Sequence, residues 1–192
     1  PTSQPTATAP AAEVMKWKLQ THAAPSTEND LLRDMSALVS AMSDGRMEIT
    51  VYDGGQLVPV EDEFTSVKTG MIEMARAAGS YFNGFVPEGD IEAGIPLMWR
   101  NMHDVEVIVW DKGVAEILRE AYGEHGVYWL SISASAPLTF WTKEPIDSVD
   151  GFKGLKIRSF GLYMEVMQDL GAAAIFIPHA ETYSALQTGV ID

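Results

Sequence analysis

The stretch GRMEITVYDGGQL, residues 45–57, decides the class of the fold. Its first half, MEITVY, alternates apolar and polar side chains with the two-residue period of a strand, and Asp53, Gly54 and Gly55 then turn the chain. Upstream, Leu31, Met35, Leu38, Val39 and Met42 recur at helical spacing. Thr27 can cap that helix, Glu28 and Asp30 offset the dipole in its first turn, and Gly45 ends it. Before the helix, residues 15–19 (MKWKL) alternate again and residues 20–25 read as a polar loop. Downstream, residues 61–68 read as a helix with Phe64 and Val67 inward, and residues 71–75 as another short strand. The order βαβαβ specifies an open α/β sheet.

Residues 77–90 (AAGSYFNGFVPEGD) have a loop composition and follow a strand, the place where open α/β sheets bind ligands. Residues 101–122 read as one or two helices ending at Gly123. Residues 127–133 (VYWLSIS) and 138–142 (LTFWT) are β-branched and aromatic and read as strands. A turn-rich link over 147–154 leads to a strand at 155–158, a helix at 162–170 closed by Gly171, a strand at 173–178 and a helix at 181–188 stopped by Gly189. The resulting division is a Pro/Thr/Ala-rich linker over 1–14, a first α/β lobe over 15–125, and hinge strands with a partial second α/β lobe over 126–192.

Composition narrows the function. The 192 residues carry 13 Lys and Arg against 27 Asp and Glu, a formal charge of −14, so nucleic-acid binding and attachment to an anionic membrane are both disfavoured. No window approaches the roughly 18–20 apolar residues of a membrane helix. With no cysteine there is no disulfide, thiolate metal site or cysteine nucleophile. The ten methionines, Met35, Met42, Met71 and Met74 among them, read as core filler. The sequence lacks G-x-G-x-x-G, Walker A, H-E-x-x-H and G-x-S-x-G patterns, and the expectation is that the protein is not an enzyme.

His179, Glu181 and Tyr183 stand at a helix start, where capping competes with an acid/base role. His22 follows the first strand and either lines a ligand pocket or is structural. Arg158 ends the short strand in GLKIRSFG. A guanidinium there can pair in bidentate fashion with a carboxylate, against the alternative of a surface salt bridge.

Three stretches carry a family resemblance: residues 45–57, then PIDSVDGFKGLKIRSFG at 145–161, then 165–192 with LGAAAIFIPHAETYSALQTGVID at its end. Together they resemble the extracytoplasmic solute receptors of tripartite ATP-independent periplasmic (TRAP) transporters. They are of the dicarboxylate-receptor type, nearest to the subgroup for 2-oxo acids and related monocarboxylates. The resemblance implies a two-lobed periplasmic-binding-protein-like fold that closes over a small organic acid and delivers it to a membrane permease driven by a cation gradient, without chemistry on the ligand. It implies a periplasmic location, with residues 1–12 as an N-terminal tether. Arg158 falls on the family's carboxylate-clamping arginine, Ser80 and Tyr81 on a first-lobe loop facing the ligand, and His22 on the loop after the first strand. Phe160 is expected as an apolar wall.

The chain departs from that pattern twice. Ser135 stands where 2-oxo acid receptors carry a glutamine that binds ligand and a metal ion. A hydroxyl still reaches the ligand but extends less far, so a bridging Na⁺ or Ca²⁺ is left open and the sequence names no metal ligand. The family also continues past the terminal GVID motif, so the expectation is a fragment whose second lobe and crossing helix are incomplete, which associates with itself and binds ligand poorly. The rival function is a ligand-sensing input domain of a signalling protein.

Overall fold

The computed structural model describes residues 13–96, 101–133 and 138–192. Strand β1 (Met15–Thr21) is followed by helix α1 (Thr27–Met42), β2 (Met47–Tyr52), α2 (Glu63–Thr69) and β3 (Met74–Arg76). All three strands are parallel in the order β2-β1-β3, with Leu19 opposite Val51 on one side and Met74 on the other. The chain therefore moves one way from β1 to β2 and crosses back over β1 to β3. That reversal opens a crevice beyond the carboxyl ends of β1 and β3.

The βαβαβ reading is reproduced, with differences that have physical causes. Strand β1 extends through Gln20 and Thr21, which read as loop, because both are fully buried and fully paired: the Gln20 amide oxygen accepts from Leu57 N at 2.7 Å and Val58 N at 3.1 Å. Ser26 rather than Thr27 is the N-cap of α1, its Oγ accepting from Asn29 N at 3.4 Å. The face that α1 buries is polar, with Asn29 and Ser36 inward. Asn29 Nδ2 donates to Asp53 Oδ1 at 2.8 Å, tying α1 to the turn after β2. The apolar stripe expected in the core faces outward, with Leu31 64%, Leu38 63% and Met42 84% exposed. Met35 and Met71 are exposed as well, so methionine is not core filler at these positions.

Beyond β3 come α3 (Gly89–Glu92), α4 (Met102–Glu106), a π-helical turn (Val107–Asp111) and α5 (Val114–Gly123). Their apolar sides join Phe64, Phe82 and Trp129 in one core, with Ala115 and Leu118 fully buried. Tyr122 OH donates to Glu92 Oε2 at 2.7 Å and fastens α5 to α3. The expected hinge strands are absent among the described residues. Residues 127–133 and 138–142 form no regular element and join no ladder. Residues 127–130 alternate in burial, with Trp129 buried and packed against Trp110 at 5.8 Å between ring centroids, but a strand needs a hydrogen-bonding neighbour and neither sheet offers one among the described residues.

Strands β4 (Lys156–Arg158) and β5 (Ala173–Ile175) form a second parallel pair around α6 (Gly161–Asp169), with Ile157, Met167, Ala172 and Ala174 as its core. Helix α7 (Thr182–Thr188) packs Ala185 against Ile177 and Ile191. β5 stops earlier than the strand expected over 173–178, because the chain turns at Pro178 into a short 3-10 segment (His179–Glu181).

The buried side chain of Glu63 links α2 to β1 by accepting from Gln20 Nε2 at 2.8 Å, while its second oxygen has no hydrogen-bond partner. Burial pushes its carboxyl up to about 8 from an ordinary 4.5, against the opposing Gln20 bond. The folded chain thus holds a proton that the unfolded chain has lost above pH 4.5. This contribution is complete below that value and disappears as pH rises toward 8. We expect stability to fall by about 3 kcal/mol between pH 4.5 and 7 from this group. Glu63→Gln removes that slope, as urea midpoints measured across the range will show.

Candidate functional site

The topological crevice is furnished by the residues that end each strand. His22 follows β1, and its backbone N–H extends the ladder to Arg76 O at 3.0 Å. Its Nδ1 lies 3.0 Å from the same carbonyl, which can only accept, so the proton sits on Nδ1 and Nε2 is an acceptor. Burial pushes the imidazole down to about 4, with the charges of Arg76 and His179 adding to the effect. The backbone at His22 is held from behind by Gly54: a β-carbon there would stand 2.7 Å from His22 O, so only glycine allows the two turns to approach this closely.

Tyr81 lies in a 3-10 turn (Gly79–Phe82) after β3. Its ring meets His22 edge-on at 5.5 Å, Phe160 at 5.9 Å and Phe176 at 5.0 Å. Its hydroxyl accepts from Arg158 Nη2 at 2.9 Å. Burial pushes that hydroxyl up, and the neighbouring guanidinium partly offsets the rise. Arg158 ends β4 and donates through Nε to Ile177 O at 3.0 Å, while its guanidinium carbon lies 4.9 Å from the Phe160 ring centre. Both of its polar partners are neutral, and among the described residues no carboxylate lies within ion-pair distance. A cation held against the Phe160 ring, with no counter-charge among the described residues, is able to pair with an organic carboxylate.

Four of the six candidates, His22, Tyr81, Phe160 and Arg158, come together here. Ser80 is buried beside Tyr81, but its Oγ has no hydrogen-bond partner and it packs against Gly161 at the start of α6. Ser135 lies outside the described residues. The structure adds residues that spacing did not single out. Arg76, at the end of β3, pairs through Nη2 with Glu28 at 2.9 Å and donates through Nε to Ser133 Oγ at 2.9 Å. His179 feels both Arg158 and Glu28, and burial lowers it from its ordinary value. Phe176 completes the aromatic wall. The signal for Arg76 was its place at a strand end beside the reversal of strand order. Glu28 had been accounted for as a helix-dipole residue. The capping role expected of Glu181 is not seen, since it makes no side-chain bond at the start of α7.

Surface hollows of about 250 Å³, lined by Arg33, Ser36 and Ile49 among others, and of about 440 Å³, lined by Phe140, Ile146 and Phe152 among others, lie apart from these residues. No three His, Asp or Glu side chains converge on a metal-binding geometry among the described residues.

A family model described as bacterial extracellular solute-binding protein, family 7 (DctP), matches residues 20–192. The chain belongs to the DctP family. Among relatives of this DctP chain is a solute-binding protein of Albidiferax ferrireducens, 30% identical over 84% of the chain and 48% of the relative. Another is a monocarboxylate 2-oxoacid-binding periplasmic protein of Nostoc, 30% identical over 80% of the chain and 42% of the relative. The TRAP solute-binding protein of Pseudoalteromonas atlantica, solved with bound sodium and pyruvate, is 26% identical with a TM-score of 0.80, over 94% of this chain and 55% of that one. That of Chromohalobacter salexigens, solved with bound (S)-(+)-2-amino-1-propanol, is 27% identical with a TM-score of 0.86, over 93% and 56%. The DctP chain thus spans about half the length of the relatives it matches. Its α/β fold is that of periplasmic solute-binding proteins, and family and fold are those of transport rather than of enzymes. No helix among the described residues is long and apolar enough to cross a membrane.

Gly161 is where the second strand pair approaches the loop after β3. It has φ +48°, and a β-carbon there would stand 2.5 Å from Asp90 Oδ1 and 2.7 Å from Ser80 Cβ. Gly161→Ala should therefore destabilise the fold by more than about 1 kcal/mol, read as a lowered denaturation midpoint.

Proposed function

We propose that this DctP-family protein is an extracytoplasmic receptor that captures a small organic acid through Arg158 and hands it to a TRAP membrane permease. The observation that carries the reading is a half-buried guanidinium fixed by Tyr81 OH and Ile177 O, with no counter-charge among the described residues. The aromatic rings of Tyr81, Phe160 and Phe176 provide an apolar wall beside it. The Nostoc and Pseudoalteromonas relatives, named for a 2-oxoacid and solved with pyruvate, support an acid as the ligand class. A Na⁺ or Ca²⁺ bridging the ligand belongs to the same reading, supported by the sodium seen with pyruvate. Residues 15–125 form the first lobe in this proposal, residues 126–192 the connecting segments and part of the second, and residues 1–14 a linker. His22, Ser80 and Ser135 are assigned to the ligand's surroundings.

A charge-assisted bond contributes about 1.5–3 kcal/mol, so Arg158→Ala should weaken binding of pyruvate or a related acid by roughly one to two orders of magnitude. Arg158→Lys should recover only part, because an ammonium cannot reproduce the fork. Calorimetry against a panel of monocarboxylates measures both, and unchanged affinity in Arg158→Ala rejects the clamp.

The outward stripe of Leu31, Met35, Leu38 and Met42 also supports self-association of the 192-residue chain, since the four residues repeat along one helix face. Light scattering after size exclusion should give a mass above 21.0 kDa, and Leu38→Glu should return it to the monomer. A monodisperse monomer of the unaltered chain rejects this proposal.

A further inference from the structure

Two guanidiniums reach the crevice, and their surroundings differ in charge. Arg158 has neutral partners only. Arg76, whose side chain is 13% exposed, is held by the Glu28 carboxylate at 2.9 Å and by Ser133 Oγ, and its buried Nη1 has no hydrogen-bond partner. The remaining titratable groups around them leave that balance intact. His22 and His179 are both pushed down by burial and stay neutral at pH 7. Glu63, which also acts on Tyr81, is pushed up to about 8 and stays largely protonated. Asp90 lies beside Gly161 at the start of α6, accepts from Asn83 Nδ2 at 3.1 Å and pairs with neither guanidinium. Among the described residues, one positive charge, that of Arg158, is left uncompensated.

We propose that Glu28 is a specificity-determining residue: by occupying Arg76 as an ion pair it leaves the site a single free cation among the described residues, so that monocarboxylates are accepted and dicarboxylates rejected. This rests on the reading of Arg158 as the carboxylate clamp. A second ligand carboxylate approaching Arg76 meets the Glu28 charge. To pair with the guanidinium it must displace Glu28 from Arg76 and bring two carboxylates together beside one cation, a like-charge juxtaposition that discriminates strongly between ligands. A neutral acceptor, such as a keto or hydroxyl oxygen, carries no such penalty and can accept a hydrogen bond from the spare Nη1. Glu28 therefore filters the ligand by charge, while Arg158 supplies the attraction.

The test is calorimetric binding of pyruvate and of succinate to the full-length protein, as wild type, Glu28→Gln, Arg76→Gln and the double variant. Glu28 is 36% exposed in the first turn of α1, so its amide replacement keeps the fold, which circular dichroism verifies. Wild type should bind pyruvate at least tenfold more tightly than succinate. Glu28→Gln should shift that ratio toward succinate by tenfold or more, and adding Arg76→Gln should abolish the shift. A ratio unchanged in Glu28→Gln, a shift that survives Arg76→Gln, or a wild type that prefers succinate overturns the proposal. Equal pyruvate binding by wild type and Arg158→Ala instead removes the clamp, a failure seen without any Glu28 variant.

Discussion

The Gln20 side chain holds three parts of the first sheet in one frame. An amide buried without partners would cost several kcal/mol, so its position in the centre of a sheet is tolerated only if the surrounding chain supplies donors and acceptors. Leu57 and Val58 supply them from the loop after β2, and Glu63 supplies one from α2. The loop and helix are thereby fixed relative to β1, and β3 follows directly from α2. The crevice at the ends of β1 and β3 inherits its shape from that arrangement. His22 and Arg76, which flank it, have little freedom of their own.

On this rigid base, the chemistry of the site comes from contrast. Both arginines end short strands, but the first is met by an acid from α1 and the second by a phenol and a carbonyl oxygen. Burial keeps the histidines uncharged, so they contribute shape and hydrogen bonds. The aromatic rings around Arg158 exclude water on one side without neutralising it. On the proposed reading, a carboxylate bound there exchanges hydration for a directed fork and a low-dielectric wall.

Much of the framework was legible in the residues themselves. The alternation of MEITVY and the glycines at 54 and 55 gave β2 and its turn, and Arg158 at a strand end was read correctly from GLKIRSFG. The failures share a cause. Helical spacing locates a stripe on α1 but does not say which side meets the sheet, and here Asn29 and Ser36 face inward because Asp53 can bond to Asn29. β propensity marks residues 127–133 as extended but does not provide a neighbouring strand. The Arg76 to Glu28 pair joins positions 48 residues apart and became visible only when the strand order was known.

The bond between Arg158 and Tyr81 spans 77 positions of sequence, and that between Arg76 and Ser133 spans 57. The pairing of β4 with β5 spans 17 positions and that of β1 with β2 spans 32, whereas β1 with β3 already spans 55. Contacts between distant positions carry a larger closure entropy and form later on average. The crevice brings together side chains from both halves of the chain, so a substitution far away in sequence can reach it by shifting either of these two bonds.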